Sequence, residues 1–158
     1  MNLIAAIDLN WSIGNKCELL ERIPEDMKHF KKITQGKVIV MGRTTLESLP
    51  NKKPLEQRIN IVLTKNKNYN CEGVILCYSL NDLFKELKKY NDEDIFIIGG
   101  ESIYSQLIMY CRKAYITKIY KEYTYDKSLV NLDSQEQWQK VSTSEKREYK
   151  EEIGRAHV

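Results

Sequence analysis

Six short runs rich in Ile and Val punctuate this chain: Leu3 to Ile7, Val38 to Met41, Ile59 to Leu63, Val74 to Cys77, Ile95 to Ile98 and Ala114 to Tyr120. Continuous apolar runs of this length suit strands buried on both faces, and stretches of helical period lie between them. The pattern predicts an α/β fold in three layers, a mainly parallel central sheet with helices on either side. Between the fourth and fifth runs, Leu80, Leu83, Phe84 and Leu87 recur at i, i+3, i+4, i+7, with Ser79 as N-cap and Asp82 three residues on. A second helix is expected from Pro24, which suits the first helical position, and a third after Gly99-Gly100, with Ile103, Tyr104, Leu107 and Cys111 turned inward. Residues 50 to 58 and 64 to 73 read as surface loops from their polar, Pro and Gly content.

At 158 residues and 42% hydrophobic content the chain suits one domain with one sizeable core. Its 25 basic and 22 acidic residues are mixed along the sequence, so no basic face announces nucleic acid or an anionic membrane. A small anionic ligand is the expected partner. No apolar run approaches the roughly 18 residues that span a bilayer, and no signal peptide is expected ahead of the first strand, which predicts a cytoplasmic protein. Four scattered cysteines without a C-x-x-C and two histidines give neither a zinc site nor a disulfide framework.

In the helix after Pro24, Asp26, Phe30 and Ile33 fall at i, i+4, i+7, which puts a carboxylate on the apolar stripe. Such a carboxylate either suits the helix dipole in the first turn or sits in an apolar cleft awaiting a multi-donor ligand. Ile95 to Ile98 runs into Gly99-Gly100 and then a helix, where backbone can approach a phosphate; a tight strand-to-helix turn would use the same pair. A second strand-to-helix junction, Met41-Gly42-Arg43-Thr44-Thr45, adds a guanidinium and two hydroxyls, and the third strand ends at Thr64-Lys65. Two such junctions favour a dinucleotide site over one.

The motifs Ile4-Ala5-Ala6, Asp8-x-Asn10-x-x-Ile13-Gly14, Ile23-Pro24-x-Asp26-x-x-x-Phe30, Met41-Gly42-Arg43-x-Thr45, Arg58-x-Asn60, Ile98-Gly99-Gly100 and Tyr115-Ile116-Thr117 occur in dihydrofolate reductase order and spacing. Over about residues 1 to 145 the chain resembles that family, in its bacterial chromosomal form. The resemblance implies NADPH-dependent reduction of 7,8-dihydrofolate to tetrahydrofolate, with hydride passing to pterin C6 and a water-borne proton to N5, in supply of one-carbon metabolism and thymidylate synthesis. Asp26 would be the pterin carboxylate and Thr117 its companion, with Ile4, Ala5, Met27, Phe30, Leu49, Leu55 and Ile98 walling the substrate cleft. Arg58 would pair with the α-carboxylate of the substrate's glutamate. The cofactor side would comprise Ala6, Ile13, Gly14, Gly42, Arg43, Thr44, Thr45, Leu63, Thr64, Lys65, Gly99, Gly100, Glu101, Ser102, Ile103 and Tyr104, with Arg43, Thr64 and Lys65 at the 2′-phosphate. No metal is implied, and a monomer is the default. The riboflavin-pathway reductase shares this fold and cofactor, and a catalytically silent NADPH-binding module would keep Arg43 and Gly99-Gly100. Asp26 with Thr117 weighs against the first, and the intact pterin half weighs against the second.

Two departures from the family pattern stand out. Where most members have Leu-Pro-Trp in the lid, this chain has Leu19-Leu20-Glu21, so the tryptophan that orders a water beside the pterin is absent. The last six residues, Ile153 to Val158, are the translation of ATC GGA AGA GCA CAC GTC, the start of a common sequencing-library adapter. The expectation is therefore a single, C-terminally truncated domain over residues 1–152 and a non-native tail over 153–158. In the family's eight-stranded order, taken as 3-4-2-5-1-6-8-7, strand 8 would be missing, the chain would fray after about Leu132, and the Ala114 to Tyr120 strand would be left as an edge or mispaired.

Overall fold

A computed structural model describes residues 1–15, 18–19, 24–119, 127–141, 147–149 and 152–157; from 14 to 25 and beyond 141 the description is of backbone alone. Each of the six apolar runs forms a strand. They are β1 (Asn2–Ile7), β4 (Val38–Gly42), β5 (Ile59–Leu63), β6 (Val74–Cys77), β7 (Ile95–Gly99) and β8 (Lys113–Ile119). Shorter strands add β2 (Ser12–Asn15), β3 (Glu18–Leu19), β9 (Lys127–Ser128), β10 (Arg147–Tyr149) and β11 (Glu152–His157). The helices are α1 (Pro24–Thr34), α2 (Arg43–Ser48), α3 (Leu80–Leu87) and α4 (Glu101–Leu107).

The main sheet runs β10-β11-β8-β1-β7-β4-β5-β6, and β3-β2-β9 forms a separate small sheet. All six long strands are parallel to their neighbours among themselves, while β11 is antiparallel to both β8 and β10. Alternate residues of the same strands feed two cores. Leu3, Ala5, Val38, Val40, Ile95 and Ile97 pack with Leu83, Leu87, Ile103 and Leu107 of α3 and α4. Ile4, Ile39, Met41, Val62 and Phe96 pack with Leu46 of α2 and with Phe30 and Ile33 of α1. Helix α3 starts as its sequence predicts: the Ser79 hydroxyl accepts the Asp82 N–H at 3.0 Å.

Two expectations about the sheet are corrected. The implied order put the fourth strand between the second and third, but the third, β5, lies between β4 and β6. Successive strands here are spatial neighbours, which is the usual outcome when the link between them is as short as residues 64–73. The last strand is also present. Strand β11 pairs with β8 at Arg155↔Ile119, Ala156↔Lys118 and His157↔Thr117, so β8 is neither an edge nor mispaired. After Leu132 the described residues include a 3-10 turn at Leu132–Ser134 and β10 on the far side of β11, and the rest of the expected fraying falls on residues outside the described ones. The truncation argument rested on the match of the last six residues to a translated adapter, whereas ladder pairing uses backbone groups that every non-proline residue carries. The strand next to β11 is Arg147–Tyr149. The lid substitution at Glu21 lies outside the described residues, as do 142–146 and 150–151.

Candidate active site

The C-terminal ends of β1, β4, β5 and β7 open into one cleft of about 780 Å³ with a mainly apolar lining. At one end, α1 brings Asp26, Met27 and Phe30 to the wall, facing Leu49, Leu55, Ile4 and Ile98. The buried Thr117 of β8 donates its hydroxyl to Asp26 Oδ1 at 2.6 Å, across 91 residues of sequence. That bond fixes the carboxylate at the cleft's apolar end, where it can accept two parallel N–H donors from a planar ligand. Arg58 is half-buried at the same end. Its Nε–H donates to the Glu56 carbonyl at 2.9 Å, its Nη1–H to Thr34 Oγ1 at 3.2 Å, and its guanidinium lies 6.0 Å from the Phe30 ring centre. Partial burial lowers its pKa from the ordinary guanidinium value, yet arginine remains a cation and a fork for a carboxylate.

The loop that carries Leu55 and Arg58 is held by one buried amide. Asn60 accepts the Leu55 N–H at 3.0 Å and donates to the carbonyls of Leu55 and Arg58 at 2.9 and 3.1 Å. Asn60→Ala is expected to lower stability by about 1–3 kcal/mol, because several backbone groups lose their partner together. A thermal melt of the variant checks this, and an unchanged midpoint would mean that the loop holds itself.

The other end of the cleft is shaped by glycines. A Cβ on Gly42 would lie 3.1 Å from Ile103 Cγ1, and one on Gly99, whose φ is +128°, would lie 3.3 Å from Thr45 Oγ1 and 3.5 Å from the Tyr104 hydroxyl. A side chain at either position would press on residues of the cleft wall, so glycine lets that wall pack closely. Arg43, Thr44, Thr45, Leu63, Gly100, Ser102, Ile103, Ala6 and Ile13 complete this wall. Tyr104 is buried, and its hydroxyl donates to the Ile4 carbonyl at 2.7 Å; burial drives its pKa well above the phenol range, so it stays a donor. Glu101 lines the cleft and also reaches out of it, accepting the Ser128 N–H at 2.6 Å and the Ser128 hydroxyl at 3.3 Å. It thereby ties β9 of the small sheet to the start of α4.

Most residues singled out from the sequence meet in this one cleft. Thr64 and Lys65 follow Leu63 without joining its lining, and Gly14 sits in β2 opposite Lys127. Sequence reading missed Lys28, His29, Lys31, Ser48, Pro50 and Lys127, all of which line the cleft. Helical spacing from Asp26 could have found His29 at i+3, but not Lys28 or Lys31, which lie off that stripe. Nothing local marks Lys127, which arrives through strand pairing alone.

A family model for dihydrofolate reductase matches residues 1–156. The dihydrofolate reductase of Staphylococcus haemolyticus is 36% identical over 144 residues, covering 90% of this chain and 82% of that protein. The Buchnera aphidicola enzyme is 41% identical over 141 residues, covering 82% of this chain and 85% of its own. Among solved structures, dihydrofolate reductase from Enterococcus faecalis complexed with NADP(H) and RAB-propyl superimposes with a TM-score of 0.84 at 29% identity, covering 99% of this chain and 92% of that one. The chain belongs to the dihydrofolate reductase family.

Proposed function

We infer that this protein reduces 7,8-dihydrofolate to 5,6,7,8-tetrahydrofolate with NADPH, and so supplies one-carbon metabolism and thymidylate synthesis. The observation that carries this reading is the shared cleft: a Thr117-anchored carboxylate at its apolar end and a glycine-shaped wall at the other. The donor set fits the cofactor. Gly42, Gly99 and Gly100 leave backbone exposed for close approach of a dinucleotide, and Arg43 lies at the same wall to meet a phosphate.

Bound there, NADPH supplies the hydride that passes to pterin C6. Asp26 accepts from pterin N3 and the 2-amino group, and Thr117 keeps the carboxylate oriented for that bidentate contact. Ile4, Phe30, Leu49 and Ile98 hold the ring by apolar contact and keep water from most of its surface. Arg58 pairs with the glutamate α-carboxylate, and the proton for N5 arrives from water rather than from a side chain. Thr64 and Lys65 directly follow Leu63, the register partner of Gly42, and are assigned to the outer rim of the phosphate wall. Gly14, Glu101 and Ser102 belong to the same side.

NADPH consumption with and without dihydrofolate, followed by nicotinamide absorbance, tests the reading; oxidation that ignores dihydrofolate would overturn it. Arg43→Ala is expected to narrow the preference for NADPH over NADH about tenfold, the usual scale of a charge-assisted phosphate contact. An unchanged ratio of the two KM values would remove Arg43 from the phosphate site. The protein is assigned to the cytoplasm as a monomer without nucleic-acid partners; no helix among the described residues is long and apolar enough to cross a membrane. A single domain is proposed for the chain, with residues 153–157 supplying backbone to β11 whatever the origin of their codons. The gene read from genomic DNA decides that origin.

A further inference from the structure

The Arg43 side chain is held on two sides. Its Nε–H donates to Glu47 Oε1 at 2.6 Å, one helical turn on in α2, and its guanidinium carbon lies 4.8 Å from the centre of the Tyr69 ring. Tyr69 comes from the loop after β5, which is itself folded by local bonds. The Asn66 N–H reaches Thr64 Oγ1 at 3.2 Å, the Asn68 N–H reaches Asn66 Oδ1 at 3.0 Å, and the Tyr69 N–H reaches the Asn66 carbonyl at 3.1 Å. Its ring also packs against the core that contains Met41 and Leu46, so it gives the guanidinium a fixed plane to lie on. With Nε committed to Glu47, the two terminal nitrogens are the edge left to grip a phosphate in bidentate fashion.

The two holders differ in charge. An aromatic face attracts the guanidinium and carries no net charge to oppose a phosphate. The Glu47 carboxylate orients the guanidinium but also repels any dianion that approaches it. We propose that Tyr69 and Glu47 are positioning residues that set the discrimination between NADPH and NADH in opposite directions, Tyr69 strengthening and Glu47 moderating the grip of Arg43 on the ribose phosphate. The proposal rests on the assignment of Arg43 to that phosphate.

The test is the ratio of NADH to NADPH dissociation constants, measured by nicotinamide fluorescence for the unaltered protein and for Glu47→Gln, Tyr69→Leu, Tyr69→Phe and Arg43→Ala. Gln keeps an oxygen that accepts from Nε, so Glu47→Gln removes the charge with little change of shape and should widen the ratio about two- to fivefold. Tyr69→Leu keeps apolar packing but loses the ring face, and should narrow the ratio by about the same factor. Tyr69→Phe should restore it. A gain in discrimination is not what general structural damage produces, so the Glu47→Gln result separates positioning from folding. The proposal is overturned if Glu47→Gln leaves the ratio unchanged or narrows it, or if Tyr69→Leu has no effect while Arg43→Ala narrows it. Were Arg43→Ala itself without effect, the phosphate assignment would fail and this inference with it, a result distinct from the other two.

Discussion

Asp26→Asn is expected to reduce turnover of dihydrofolate about a hundredfold or more while leaving NADPH affinity within roughly twofold of its starting value. The substitution is nearly isosteric, and the amide oxygen can still accept the Thr117 hydroxyl that now sits 2.6 Å from Oδ1. What disappears is the negative charge at the end of the cleft farthest from the glycine wall. A pterin approaching protonation gains positive character on its ring, and a fixed carboxylate stabilises that character more than it stabilises the resting ligand. Gly42, Arg43 and Gly99 form the glycine-shaped end of the cleft, away from the apolar end that holds Asp26, so the proposed cofactor wall should not sense the change. Steady-state kinetics and a direct NADPH titration decide the matter. Parallel losses in both would make Asp26 a structural residue.

The second large effect is expected from a single methyl group. At Gly99 the φ of +128° lies where side chains are disfavoured, so Gly99→Ala carries a backbone cost of about 1–3 kcal/mol before any contact is considered. The new methyl would also press on Thr45 Oγ1 at 3.3 Å and on the Tyr104 hydroxyl at 3.5 Å. Thr45 lies on the proposed cofactor wall, and Tyr104 holds the carbonyl of Ile4 on the proposed substrate wall. Both ligands should therefore bind more weakly, NADPH by about tenfold or more, and the melting midpoint should fall by of order 5 °C. A variant that melts normally and keeps its NADPH affinity would show that the turn has room that the present geometry denies it.

The parts of this molecule that were legible in the sequence are those whose signal is local. The central strands β1, β4 and β7 are apolar runs buried on both sides, and α3 announces itself through Ser79 and the spacing of Leu83 and Leu87. The inward face of α4 was also readable: Ile103, Tyr104 and Leu107 are buried, although the helix tightens into a 3-10 turn at Ile108–Tyr110 before Cys111. The short strands were not readable. Strand β9 is two residues long and exists because Ser128 meets both Ser12 and Glu101, a pairing that periodicity cannot reveal. Strand β11 lacks apolar alternation in its sequence, and the order of β5 and β6 was taken from the family pattern rather than from any residue. At the site, the resemblance named Asp26, Thr117 and Arg43, but not the partners that orient Arg43. Tyr69 lies in a stretch that reads as polar loop, and its contact depends on turns closed by Thr64 and Asn66 side chains.

The register of β11 also bears on how the protein behaves at high concentration. Unpaired strand edges are where foreign chains add on and aggregates begin. Among the described residues, with β11 and β10 in place, the two edges of the main sheet are β6, four residues long, and β10, three residues long. Strand β8 is seven residues long and would be a far larger template if bare. The strand that carries Thr117 is thus screened from intermolecular pairing by the same ladder that runs past it, and loss of that cover would make this half of the sheet the first place for chains to stick.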